Sequence, residues 1–126
     1  MRSAFQNLLD SCAKQFQWTL VAEYAIKRPK KQPIRMDGVL LDIYKLPRAY
    51  WEAKDSKDDL KKEVQKKFAV GYPNDNIIFQ RPDRAMLYQD GKLVMDADLT
   101  KDQELVDIVR LRSRSGKRRL KNLAIA

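Results

Sequence analysis

The 126-residue sequence predicts a layered α/β domain, a mixed central sheet flanked by helices. Three observations predict it. Apolar stripes at helical spacing occur near the start, the middle and the end of the chain. Short runs rich in aliphatic and aromatic residues lie between them. The order of the two kinds is helix, three strands, helix, three strands, helix. Hydrophobic residues make up 44% and charged residues 34%, which suits one real core under a heavily charged surface and excludes a disordered composition.

In residues 3–16, Phe5, Leu8, Leu9, Cys12 and Phe16 recur at helical spacing, so the helix has one buried stripe. "WTLVAEYAI" (18–26) reads as a strand, and "KRPKKQP" (27–33), with two prolines, as a loop. "DGVLLDIY" (37–44) and "AYWEAK" (49–54) are strands joined through the turn "KLPR" (45–48), an antiparallel hairpin. "SKDDLKKEVQKKFAVGY" (56–72) is a helix with Leu60, Val64 and Phe68 on one face and Asp58 and Asp59 in its first turn. Asp55 or Ser56 is its expected cap, and Gly71 with Pro73 its stop. "NIIFQ" (76–80) is a short buried strand. "RAMLYQDGKLVMDA" (84–97) is a hairpin turned by Asp90-Gly91, a pair that suits the two positive-φ positions of a type I′ turn. "TKDQELVDIVRLR" (100–112) is a helix capped by Thr100, with Leu105, Ile108 and Val109 on one face. The expected domain is 1–112, and 113–126 a basic tail, either disordered or left by truncation.

The formal net charge is +9, from 26 Lys/Arg against 17 Asp/Glu. Seven of those basic residues lie in "RLRSRSGKRRLK" (110–121), which has no acid, and without it the balance is 19 against 17. A second cluster, "KRPKKQPIR" (27–35), holds Lys27, Arg28, Lys30, Lys31 and Arg35. Such clusters suit a polyanion through phosphate contacts and counterion release; a solvated surface is the plainer alternative. Gln65 and Lys66, on the helix after "WEAKD", are weaker DNA-facing candidates. No apolar run reaches the ~20 residues of a membrane span, and the first residues lack the pattern of a secretory signal. A single cysteine, Cys12, allows no internal disulfide, so a reducing, cytoplasmic setting is expected. Histidine is absent. That excludes Ser-His-Asp triads, Cys-His pairs and histidine-ligated zinc. Metal chemistry would then use carboxylates and carbonyls, which favours Mg²⁺ or Mn²⁺.

In "WEAKD" (51–55) the two-residue period of a strand puts Glu52 and Lys54 on one face with Tyr50, and turns Ala49, Trp51 and Ala53 to the core. Asp37 opens the neighbouring strand. If the hairpin pairs as read, two carboxylates converge where one Mg²⁺ could bridge them, aided by the carbonyl of Ala53. Such a set suits phosphodiester hydrolysis. The cation offsets charge on the scissile phosphate and lowers the pKa of a bound water. Lys54 orients or helps deprotonate that water and stabilises the transition state. Glu-x-Lys alone is common in charged proteins, so the tripeptide is weak evidence without the rest.

The stretch "PIRMDGVLLDIYKLPRAYWEAKDSKDDLKKEVQKKFAVGYPNDNIIFQ" resembles the nuclease domain of type ISP restriction–modification enzymes and related Mrr-like members of the PD-(D/E)xK superfamily. The matching pieces are "DG" (37–38), "YWEAKD" (50–55), "DDL" (58–60), "GYP" (71–73), "NIIF" (76–79) and "MLYQDG" (86–91), within residues 18–96. The resemblance implies a restriction-endonuclease-like core that cleaves DNA with Mg²⁺. Asp37 would match the motif's first acid, Glu52 the second and Lys54 the lysine. Glu23, in "VAEYA", would match an upstream acid that helps position the metal, and Asp42 is an alternative first acid. Met36 stands where the motif has proline, and "RSRSGKRRLKNLAIA" does not resemble the family. Implied partners are DNA and further domains or subunits for ATPase, methyltransferase and target-recognition work, with a homodimer left open. No Walker A loop or methyltransferase motif occurs in this chain. The rival reading is a non-catalytic nucleic-acid-binding or assembly module that retains the fold; an intact Asp37, Glu52 and Lys54 set argues against it. Trp51 and Phe68 are expected in the core, with Tyr72 anchoring the helix end.

Overall fold

Residues 4–54 and 59–109 are described by a computed structural model, Val109 by its backbone alone. The elements are α1 (Ala4–Gln15), β1 (Thr19–Arg28), β2 (Lys31–Leu41), β3 (Pro47–Ala53), α2 (Leu60–Ala69), β4 (Ile77–Arg81), β5 (Arg84–Gln89), β6 (Lys92–Asp98) and α3 (Asp102–Val109). Their order is the expected one. The strands form one mixed sheet in the order β1-β2-β3-β4-β5-β6. β3 and β4 run parallel with α2 between them in sequence, and every other neighbouring pair is antiparallel. The expected caps Asp55 and Ser56, Asp58, the basic run from 110 onward and the tail 113–126 lie outside the described residues.

The sheet has an apolar cluster on each face. Phe5 and Leu9 of α1 and Ile108 of α3 pack on one face with Trp51, Ile78 and Leu87. Leu60 and Val64 of α2 pack on the other with Met36, Ile77, Phe79 and Met86. The Phe79 ring meets Phe68 and Tyr88 edge-on, at centroid distances of 5.7 and 6.0 Å. β3 alternates as expected. Ala49 and Trp51 belong to the α1/α3 side and Tyr50 to the α2 side, so Glu52 also faces α2.

Four local readings change. The prolines at 29 and 33 do not make a loop: β1 runs to Arg28, β2 starts at Lys31, and Pro29-Lys30 is a two-residue turn with Lys30 at φ +58°. Pro33 is tolerated because it sits beyond Gly38, the last β2 residue paired with β3, and within the register shift between Ile26 and Arg28. The next strand ends at Leu41 instead of residue 44. The Asp42 carboxylate accepts the N–H groups of Tyr44 and Leu46 at 2.8 and 3.0 Å, which bends the chain out of the ladder. On α1 the helix stops at Gln15, so Ala13 joins the buried stripe while Leu8 and Phe16 stay exposed; the Phe16 ring stacks on Trp18. Thr100 does not cap α3: its N–H and hydroxyl both donate to Asp98.

Both ends of α2 are capped. Asp59 is the N-cap, its carboxylate accepting the N–H of Lys61. At the other end Gly71, at φ +104°, closes a Schellman motif: its N–H donates to Phe68 and that of Tyr72 to Lys67. The Asp90-Gly91 turn has both residues at positive φ, +54° and +76°, as a type I′ turn requires.

Candidate active site

β2 and β3 pair only from Gly38 to Leu41 on β2. At Asp37 they part, while β3 continues alongside β4 through Glu52 and Ala53. The backbone groups exposed by this split need partners, and the two carboxylates supply them. Asp37 N–H donates to Glu52 Oε1 at 3.1 Å, and Ala53 N–H donates to Asp37 Oδ2 at 2.7 Å. Each acid is thus fixed by the backbone beside the other.

Two features of β1 and β2 aim Asp37 this way. Met36 packs on the α2 side of the sheet and Leu40 on the opposite side. Both are even positions, so the strand changes facing between them. Across from this point Glu23 takes φ +53°, between the pairs Ala22–Gly38 and Tyr24–Met36. The register is unbroken here, so this is a local left-handed residue directly across from Asp37. Gly38 is required immediately after, because a Cβ there would lie 2.9 Å from Cε3 of Trp51 and 3.0 Å from Cδ1 of Leu20.

Glu52 is 6% exposed. Burial pushes its carboxyl above the ordinary glutamate range, and the Asp37 charge adds to that. The Asp37 N–H and the ammonium groups of Lys67 and Lys54 pull the other way without cancelling it. A buried carboxylate beside another carboxylate favours a cation. The donor set fits a hard divalent ion. Asp37 Oδ2 and Glu52 Oε1 are occupied by backbone N–H groups, and Glu52 Oε2 faces the Lys67 ammonium at 3.6 Å. Two carboxylates with the Ala53 carbonyl suit Mg²⁺, which keeps several of its waters.

The expected residues fall into three groups. Asp37, Glu52 and Ala53 come together, and Lys54 follows one residue past the end of β3, pairing with Glu63 of α2 at 3.6 Å. Glu23 is not gathered with them. It is exposed on β1 beside Tyr24 and Tyr50, and among the described residues no group of three or more acidic, histidine or cysteine side chains is arranged to hold a metal ion. Asp42, the alternative first acid, is held by its own turn and by Arg48. Of the basic cluster, Lys27, Lys30, Lys31 and Arg35 are exposed around the β1–β2 hairpin tip. Arg28 is engaged by the carbonyls of Gln32 and Val70. Gln65 and Lys66 are exposed on α2, where Lys66 pairs with Glu63 at 3.8 Å.

Sequence reasoning missed Glu63 and Lys67. Lys67 Nζ lies 3.6 Å from Glu52 Oε2 and donates to the Tyr72 hydroxyl at 3.3 Å. Burial alone would lower its pKa, but the Tyr72 hydroxyl and the Glu52 carboxylate together raise it. The available signal was their position: each immediately precedes a residue of the Val64 and Phe68 stripe, so each flanks the buried face of α2.

No family model and no curated protein matches the chain. A solved structure does: the cryo-EM structure of a DrdV–DNA complex, with a TM-score of 0.80 and 40% sequence identity over 86% of this chain. The match covers 11% of that chain, so this chain spans about a tenth of its length. The α/β domain is a restriction-endonuclease-like core, a six-stranded mixed sheet flanked by three helices among the described residues. Among the described residues no helix is long and apolar enough to cross a membrane.

Proposed function

We propose that the domain is a Mg²⁺- or Mn²⁺-dependent DNA endonuclease of the PD-(D/E)xK type, working within a restriction–modification system. The observation that carries this reading is the pair of hydrogen bonds from the Asp37 N–H to the Glu52 carboxylate and from the Ala53 N–H to the Asp37 carboxylate, next to Lys54. It holds two hard, anionic carboxylates in place, each through a backbone N–H. The likeness to a chain from a DrdV–DNA complex supports DNA as the substrate. The much greater length of that chain supports further domains or subunits, of the type ISP kind, for ATP use, methylation and target recognition. The proposed setting is the cytoplasm.

When bound, the divalent ion supplies charge against the scissile phosphate and a water of lowered pKa. Asp37 and Glu52 hold it, each kept from rotating by a backbone N–H. Lys54 presents its ammonium to the attacking water or to the phosphate oxygens, where charge builds up in the transition state. The exposed cations Lys27, Lys30, Lys31 and Arg35 contact the phosphate backbone without reading bases.

The test is nicking of supercoiled plasmid by the full chain in Mg²⁺ or Mn²⁺ against EDTA. Wild type is expected to cut only with the ion, and Asp37→Asn, Glu52→Gln and Lys54→Ala to lose at least about 100-fold each. Salt-dependent DNA binding with no cleavage under any divalent ion would overturn the proposal in favour of a binding or assembly module.

A further inference from the structure

The helix that covers the site carries charges matched to it. Glu63 and Lys67 are one helical turn apart, about 6 Å along the axis. Glu52 is on β3 and Lys54 one residue past its end, where its N–H still donates to the Gln80 carbonyl, so at extended spacing the two are about 6.6 Å apart. The two spacings agree, and the charges pair crosswise: Lys67 with Glu52 at 3.6 Å, and Glu63 with Lys54 at 3.6 Å. The Lys67 side chain is 20% exposed, against 75% for its neighbour Lys66. Its ammonium donates to the Tyr72 hydroxyl and stands 4.7 Å from the centre of the Tyr72 ring. Tyr72 is placed there by the Gly71 Schellman motif. Lys67 is therefore held in position, not swept past Glu52 by a flexible stem.

We propose that Lys67 is a built-in counter-cation: it neutralises Glu52 in the metal-free protein, must be displaced by the incoming divalent ion, and so sets the metal affinity of the site. This rests on the metal-site reading above. Glu52 has a side chain only 7% exposed and the Asp37 carboxylate beside it, so its ionised form needs a counter-charge. Without metal, Lys67 provides one. With metal, two cations compete for the same carboxylate oxygen, and their mutual repulsion weakens binding. Tyr72 keeps the displaced ammonium nearby. Lys54 is drawn toward Glu63, so of the two lysines Lys67 is the one paired with Glu52.

The probe is Mn²⁺ alone, titrated calorimetrically into the full chain without DNA. Lys67→Met keeps the apolar stem and removes the charge; it is expected to bind Mn²⁺ about five- to tenfold more tightly. Lys67→Arg retains the charge and is expected to bind as wild type does. In EDTA the Lys67→Met protein should melt below wild type, and Mn²⁺ should raise its Tm by more. Lys67→Gln is a second neutral variant with the same expectation, should methionine unsettle α2. Equal or weaker Mn²⁺ binding in both neutral variants, while Glu52→Gln abolishes binding, would overturn the role of Lys67 and leave the metal site standing. Undiminished Mn²⁺ binding by Glu52→Gln would overturn both.

Discussion

At the scale of single residues, the site carboxylates also serve as structural hydrogen-bond partners. Asp37 stands in for the β2 backbone that would otherwise pair with Ala53. Asp37→Ala leaves the Ala53 N–H without its acceptor, which is expected to cost about 1–3 kcal/mol in urea unfolding. Asp37→Asn keeps an acceptor and should unfold close to wild type while losing cleavage equally. A large stability loss in the asparagine variant would show that the ladder geometry is not what Asp37 sustains. Gly38 is set by contact, since a Cβ would press on the Trp51 and Leu20 side chains. Gly38→Ala should destabilise by about 1–3 kcal/mol through overpacking, and no change in the melting curve would refute the tight approach.

At the scale of elements, α2 covers the site and the β2–β3 turn closes the far end of the hairpin that carries it. α2 is begun by Asp59, and Asp59→Ala should cost about 1 kcal/mol by removing the acceptor of the Lys61 N–H. The turn is held by Asp42, whose carboxyl is lowered from 3.8, first by the Leu46 N–H, against a smaller opposing effect of burial, and further by the Tyr44 N–H and Arg48. The folded state thus binds its proton less readily than the unfolded chain. The stabilisation is complete above pH 3.8 and is lost as pH falls through the depressed value. Urea midpoints of wild type and Asp42→Asn should therefore differ at pH 6 and draw together below pH 3.8. A gap that stays constant would mean that charge is not what Asp42 contributes. The helix was legible because Leu60, Val64 and Phe68 repeat at its period; its cap was misplaced because Asp55, Ser56, Asp58 and Asp59 offer equivalent chemistry within five residues.

At the scale of the molecule, one sheet joins two apolar clusters, so the site depends on the core on the α2 side. Phe79 is fully buried and meets Phe68 of α2 and Tyr88 of β5. Phe79→Ala should cost about 3–5 kcal/mol by thermal or urea unfolding. Because α2 carries Glu63 and Lys67, Mn²⁺ binding should change with it. Residues 113–126 contain Arg114, Lys117, Arg118, Arg119 and Lys121. Their deletion should leave unfolding unchanged and flatten the plot of log binding constant against log salt for duplex DNA by up to about four units of slope. An unchanged slope would show that these residues do not meet phosphate.

Element order, the two-sided character of β3 and the type I′ turn at Asp90-Gly91 were determined by the sequence alone, because each depends on local periodicity or on backbone preferences of a few adjacent residues. So was the meeting of Asp37 with Glu52, given the hairpin that joins their strands. Only the tertiary structure decided that "KRPKKQP" extends a hairpin, since whether a strand tolerates proline depends on which side lacks a neighbour. It alone brought Lys67 to Glu52 and Glu63 to Lys54. Those contacts arise from laying a helix across a sheet at one register, and a one-dimensional pattern carries no record of which of several exposed charges the packing will turn inward.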